Sequence, residues 1–309
     1  MKPAPFAYHR AHSVDEAVAL LAELGDEAKI LAGGLSLVPM MNFRLARPAF
    51  LVDVSRIGGL SYLRAGPAGG QATGPQGSPQ SALRVGALTT HRTVETTRDP
   101  AVLENFGVLP RSARWIGHYP IRSRGTFGGS IAHADPASEW CLLAILLDAR
   151  IVLTGPAGER TVPATEFFEG YYSTTAAPDE MITELRFPAP VPAAALTEFA
   201  QRQGDFAVVA AAVSADIADG TCRAGRVVLG GVGPRPLEVD AAPLSGQPAT
   251  ADTWQAMGEH AAGQIDPPAD THGDAAFRRR LTVTLVARAL AAASDVPRPP
   301  AAASRPVPG

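Results

Sequence analysis

The chain has 309 residues, 46% hydrophobic and 18% charged, with a formal net charge of -3. That length favours two or three packed units, and this balance belongs to a soluble globular protein with no field to draw nucleic acid. Its two cysteines, Cys141 and Cys222, are too few for the four thiolates of a standard iron–sulfur cluster and lack the CxxC spacing of structural zinc.

The opening MKPAPFAYHRAHS has neither the basic start nor the apolar run of a secretory signal. No later window reaches the roughly 18 apolar residues of a spanning helix. A cytoplasmic location without a membrane span is expected. Residues 13–25, SVDEAVALLAELG, set Val14, Ala17, Val18, Leu21 and Leu24 on one helical face, with Ser13 as N-cap, Glu16 at the capping-box position and Gly25 as stop. AKILAG and LVDVSRI flank a glycine pair as short strands, so residues 1–57 read as a small β-α-β unit. GPAGGQATGPQGSPQS, 66–81, is aperiodic and turn-forming, a solvated insertion between strands.

LRVGALTT resumes the strand pattern, and HRTVETTRDPAVLENFGVLPRSARWIG is mostly helical. DPASEWCLLAILLDA is a strong helix, with Asp135 as N-cap and Pro136 in the first helical position. ARIVLTG and ERTVPA are strands that close a second unit, 58–178. From 179 to 293 the pattern becomes antiparallel strands (MITELRFPAP, TEFAQR, FAVVAAAVSADI, CRAGRVVLGGVG) and then helices near 251–263 and 273–293, a third unit. The last residues, 294–309, have too little apolar surface to offset their ordering entropy and are expected to form a mobile tail.

Two segments carry chemistry. In LAGGLSLVPMM, a strand runs into Ala32-Gly33-Gly34-Leu35-Ser36, where successive backbone N–H groups and two residues without Cβ suit close approach by a pyrophosphate. Taken alone it is equally a tight turn after a strand. Neither GxGxxG nor GxxxxGK[ST] follows. In RSRGTFGGSIAHADPASEW, Arg122 and Arg124 precede Thr126-Phe127-Gly128-Gly129-Ser130, a second glycine-opened anion cradle. Glu139, thirteen residues after Thr126, stands where a carboxylate accepts from a ribose hydroxyl. Competing assignments remain for Asp135 as a plain cap, His133 as a structural hydrogen-bonder and Arg122 as a surface residue. No Ser/His/Asp arrangement or metal-ligand spacing accompanies them.

The pair LAGGLSLVPMMNFRLARP and RSRGTFGGSIAHADPASEW, with GDFAVVAAAV and LGGVGPRP downstream, resembles the FAD-binding medium subunits of molybdenum hydroxylases, among them those of carbon monoxide dehydrogenase and the FAD domain of xanthine dehydrogenase. The resemblance spans roughly residues 4–290. It implies an α+β chain with a vanillyl-alcohol-oxidase-type FAD-binding fold: two α/β subdomains plus a C-terminal α+β flavoprotein domain. It implies FAD held by Leu31, Ala32, Gly33, Gly34, Leu35, Ser36 and Leu37 and by Thr126, Phe127, Gly128, Gly129 and Ser130. It further implies Glu139 on the adenosine half, Ile182 beside the flavin and Phe206 against the isoalloxazine face.

The implied partners are a small iron–sulfur subunit and a large molybdopterin subunit, in a dimer of heterotrimers. Electrons then pass from the clusters to FAD and on to an external acceptor, and no residue of this chain is catalytic. NAD-linked relatives carry a lysine near the start of the third domain, where this sequence has Phe199-Ala200-Gln201-Arg202; either Arg202 takes that role or the acceptor is another, such as a quinone or cytochrome, and the sequence leaves both open. Two other readings are a self-contained flavin oxidoreductase using NAD(P)H and a flavin-free assembly subunit. The intact glycine pairs speak against the latter.

Overall fold

The computed structural model describes residues 2–67, 81–191 and 193–295. The first unit runs β1 (Ala7–Arg10), α1 (Val14–Leu24), β2 (Ala28–Leu31), α2 (Leu37–Asn42) and β3 (Phe50–Asp53). Its three strands are parallel in the order β1-β3-β2, the β-α-β unit expected from the sequence. Ser13 Oγ accepts the Glu16 N–H at 3.1 Å, and the Glu16 carboxylate accepts the His12 N–H at 2.7 Å, so orphan donors at the start of α1 are satisfied in both directions. Ala17, Val18 and Leu21 face Val52 and Val54 in one apolar cluster.

The second unit contains β4 (Leu63–Pro67), β5 (Ser81–Gly86), α3 (His91–Glu95), α4 (Pro100–Asn105), α5 (Val108–Ser112), α6 (Tyr119–Arg124), α7 (Phe127–His133) and α8 (Glu139–Leu146). It continues through β6 (Arg150–Gly155), β7 (Gly158–Pro163), α9 (Ala164–Phe167), β8 (Phe168–Gly170), β9 (Ser173–Thr174) and β10 (Met181–Phe187). Its sheet is antiparallel, ordered β4-β5-β10-β6-β7.

This arrangement corrects three expectations. β10 is the central strand of the second sheet, so the boundary with the third unit falls between Phe187 and Ala194 and not at 178/179. Lateral pairing with β5 and β6, which local periodicity does not encode, claims the strand. The ends of the 66–81 insertion, Gly66-Pro67 and Ser81, are strand residues; 68–80 lie outside the described residues. The helix assigned to Asp135 and Pro136 begins at Glu139 with Ser138 as N-cap. Ala134 ends α7 at φ 53°, and Asp135 Oδ1 accepts the Ala137 N–H at 2.8 Å, a local turn that competes with helix continuation.

The third unit is an antiparallel sheet of β11 (Ala194–Phe199), β12 (Val209–Ala218), β13 (Thr221–Gly230) and β14 (Leu237–Val239), with α10 (Ala251–Gly263) and α11 (Ala275–Ser294). The alternation of β12 sends Val209, Ala211 and Val213 toward α10 and α11, and Ala210 and Ala212 toward the second unit. Of the expected tail, Ser294 still ends α11 and Asp295 caps it; 296–309 lie outside the described residues.

α8 joins the units. Every residue from Trp140 to Leu146 is buried, as an all-apolar helix requires, in one cluster with β5, β6 and the inner faces of β11, β12 and β13. Trp140 stacks on Phe127 with 4.4 Å between ring centroids and donates its indole N–H to His91 Nδ1 at 2.9 Å. Burial, with Arg122 adding to it, pushes the His91 imidazole down to about 4 from its ordinary 6.5. The native ring is therefore neutral where the unfolded ring is charged, and stability drains away as pH falls from about 6.5 toward 4.

Two outcomes are expected. Leu143→Ala, which opens a cavity inside this fully buried helix, should cost roughly 2–5 kcal/mol, read as a lowered urea midpoint. Acidification from pH 7 to 4.5 should weaken the wild type by up to about 3 kcal/mol more than His91→Gln, by linkage at 1.36 kcal/mol per pKa unit. Equal acid sensitivity in both proteins would show that His91 does not carry the effect.

Candidate functional site

β2 delivers Ala32 and Gly33 to the seam between the first two units. A Cβ on Gly33 would lie 2.3 Å from the Arg124 carbonyl oxygen and 2.9 Å from Gly125 Cα, so glycine is required there by the chain's own backbone. Gly34 adopts φ 76°, with Leu31 Cδ1 and Val38 Cγ2 within 3.3 Å of where its Cβ would be. The N–H groups of Gly33, Gly34, Leu35, Ser36 and Leu37 donate to no acceptor among the described residues. Ser36 sits at the N-cap of α2 without capping it. Five successive half-buried donors with nothing to bond form a cradle that fits the oxygens of a pyrophosphate.

The second motif differs from its expected form. Thr126–Ser130 is the start of α7, not an open loop, with Thr126 as N-cap. Its amides are already engaged: Phe127 N–H to Thr89 O at 2.8 Å, Gly128 N–H to Ala87 O at 2.9 Å, Gly129 N–H to Thr126 Oγ1 at 3.1 Å and Ser130 N–H to Thr126 O at 3.0 Å. A Cβ on Gly128 would lie 2.6 Å from that of Ala87. This glycine thus lets α7 sit directly on the chain leaving β5. The two motifs do meet, since Ala32 Cβ is 4.0 Å from where a Cβ of Gly129 would stand.

Arg122 is a structural clamp, half-way between the two roles weighed for it: it bonds Glu95 at 3.0 Å and the Gly117 carbonyl at 2.9 Å. Sequence reasoning missed Ala87 and Thr89 and singled out Arg124 for its charge, whereas all three contribute backbone carbonyls, which carry no side-chain signature. His133 stacks near Tyr172 with 5.0 Å between ring centroids, and burial lowers its pKa.

Glu139 opens α8. Desolvation, then the charge of Glu198 on β11, raises its carboxyl well above the ordinary range, and burial raises Glu198 as well. Glu198 Oε2 is buried with no hydrogen-bond partner among the described residues. A carboxylate on the inward-facing register of AALTEF was the available signal for it.

Ile182 is buried on β10 beside a bulge, and the next residue's carbonyl, Thr183 O, accepts the Ala87 N–H at 3.0 Å. β10 and α7 are therefore held by the same residue. Phe206, 67% exposed, lines a groove of about 740 Å³ together with Asp135, Tyr172, Arg202, Asp205 and Arg278. The floor is firm, because Arg278 is buried and bonds the Gly231 carbonyl at 2.8 Å and Asp270 at 2.7 Å. Arg202 is 84% exposed at its side chain and pairs with Asp205 at 3.2 Å.

Known proteins share this architecture. The family described as the FAD binding domain in molybdopterin dehydrogenase matches residues 4–190, and the CO dehydrogenase flavoprotein C-terminal domain matches 194–293. The chain is 37% identical over 305 residues to the 6-hydroxypseudooxynicotine dehydrogenase complex subunit alpha of Paenarthrobacter nicotinovorans, covering 97% of this chain and 98% of that one. Among solved structures it resembles a chain of carbon monoxide dehydrogenase from Hydrogenophaga pseudoflava, with a TM-score of 0.85, 36% identity and coverage of 95% and 99%. It also resembles a chain of quinoline 2-oxidoreductase from Pseudomonas putida 86, with a TM-score of 0.86, 33% identity and coverage of 96% and 99%. Over 4–190 and 194–293 together, these matches show that the chain belongs to the family of FAD-binding subunits of molybdopterin dehydrogenases.

Proposed function

We propose that this chain holds FAD as the electron-exit station of a molybdenum hydroxylase, beside a small iron–sulfur subunit and a large molybdopterin subunit in a dimer of heterotrimers. The observation that carries this reading is the run of five unengaged N–H groups from Gly33 to Leu37. They are oriented by β2 and α2 before any ligand arrives, so binding an anion there costs little reorganisation. Bound FAD supplies a carrier that takes up electrons and releases them to an external acceptor.

The chain's own residues bind, orient and shield. Leu31, Ala32, Gly33, Gly34, Leu35, Ser36 and Leu37 hold the pyrophosphate. The hydroxyls of Thr126 and Ser130 border it, on a helix start that Phe127 and Gly128 anchor to the chain leaving β5 and that Gly129 closes onto the Thr126 hydroxyl. Glu139, kept protonated by its enclosure, offers a carboxyl to the ribose of the adenosine half. Ile182 and Phe206 supply apolar contact for the ring. None of these residues exchanges a proton with substrate, so none is assigned as catalytic. A cytoplasmic location belongs to the same reading; no described helix is long and apolar enough to cross a membrane.

The purified chain supplied with FAD should show a flavin absorbance band, and NAD(P)H alone should not bleach it rapidly. A missing band would overturn the reading, and rapid bleaching would replace the relay with a self-contained oxidoreductase. Gly33→Ala should weaken FAD binding tenfold or more, of order 1.4 kcal/mol, because its methyl group displaces the Arg124 backbone. Gly170→Ala, where nothing lies within 4 Å, should leave binding unchanged. Flavin fluorescence titration separates the two.

A further inference from the structure

The segment that leaves the N–H cradle ends in a knuckle with an unusual exposure. With Phe43 as C-cap of α2, the Arg44 N–H donates to Met41 O at 2.9 Å and the Leu45 N–H to Met40 O at 2.9 Å, the two bonds of a Schellman motif. Arg44 takes φ 58°, the left-handed position that glycine normally fills. The apolar residue after that position usually folds back over the helix. Here Leu45 is instead 77% exposed, Phe43 68% and Val38 41%. Backbone hydrogen bonds lock this turn, so its apolar side chains are held in water by a rigid support. Rigid exposed anchors of this kind lose little entropy when a second surface covers them.

Charge narrows the choice of that surface. No acidic residue occurs from Ala28 through Val52. Arg44 Nε donates to the Lys2 carbonyl at 3.4 Å and Arg47 Nε to the Arg44 carbonyl at 3.1 Å, which sets two guanidinium groups and the main chain of Lys2 around the knuckle. None of these three residues forms an ion pair among the described residues. A complementary face is acidic at its rim and apolar at its centre.

We propose that residues 38–47 with Lys2 form the docking surface for the iron–sulfur subunit. Phe43 and Leu45 enter apolar pockets, and Lys2, Arg44 and Arg47 meet carboxylates around them. This rests on the reading above that the chain works beside such a subunit. An iron–sulfur centre held by four thiolates carries net negative charge in both redox states, which favours a basic face. The chain that delivers electrons must also seat on the half of this protein that holds the flavin, and the knuckle closes the helix whose first residue, Leu37, belongs to the cradle.

The test is co-expression of all three subunits, with the tag on this chain and either wild type or Phe43→Asp/Leu45→Asp. Loss of the iron–sulfur subunit from the variant, with the flavin band retained, is the expected result; its affinity should fall roughly 30-fold or more, as for a buried hot spot. Loss of the large subunit alone, binding of a second copy of this chain at the knuckle, or retention of the full complex overturns the assignment. Should the variant lose its flavin, hydrogen exchange on the wild-type complex decides: amides 43–47 must slow when the iron–sulfur subunit is present, and unchanged exchange overturns the proposal. A wild-type chain that binds no FAD and no cluster-bearing partner would instead defeat the functional reading on which this rests.

Discussion

Everything at the site depends on one close approach, the α-carbon of Gly33 against the carbonyl of Arg124. With a side chain there, the two loops could not face each other, because the first Cβ would stand 2.3 Å from that oxygen. The contact joins the parallel β-α-β unit to the antiparallel unit that follows it. It leaves the Gly33–Leu37 amides pointing at no acceptor among the described residues. Glycine here serves the protein's own backbone first, and a ligand benefits from the geometry that results.

The second glycine pair divides the labour differently. Gly128 brings α7 down on Ala87, and Gly129 sits over the Thr126 hydroxyl, so this motif is a fastening whose amides are spent within the chain. The fastening is anchored in turn by α8, through the stack of Trp140 on Phe127 and the indole bond to a neutral His91. A charged His91 would lose both its low-dielectric setting and its acceptor atom. α8 also reaches the third unit, where Glu139 and Glu198 place two desolvated carboxyl groups on one seam. Both are raised by burial, and together they are most stable holding a proton, since two carboxylates this enclosed repel.

Local chemistry made much of this readable in advance. The Ser13 cap and Gly25 stop of α1, the strands flanking the first glycine pair and the split faces of β12 all follow from short-range pattern. The failures share a cause. β10 was assigned to the wrong unit because its partners are nearly one hundred residues away in β5 and thirty in β6. TFGGS reads as a glycine-opened cradle, yet the Thr126 cap and the landing of α7 on Ala87 outweigh the low helix propensity of its glycines and make it a helix start. Asp135 and Pro136 had the signature of a helix start and made a turn, since the left-handed Ala134 had already redirected the chain.

By itself the sequence determined the element types, the two motifs, the absence of thiolate or metal spacing and, through resemblance, the cofactor class, because these are encoded in residues close together along the chain. Only the tertiary structure decided which amides remain available, since an N–H is spent or spare according to carbonyls that any residue type can provide. It likewise decided that Arg122 is a clamp and Glu198 an unpaired acid, and that Phe43 and Leu45 stand in water. Apolar residues next to an apolar helix are normally buried, and the exposure of these two beside the left-handed turn at Arg44 is visible only in three dimensions.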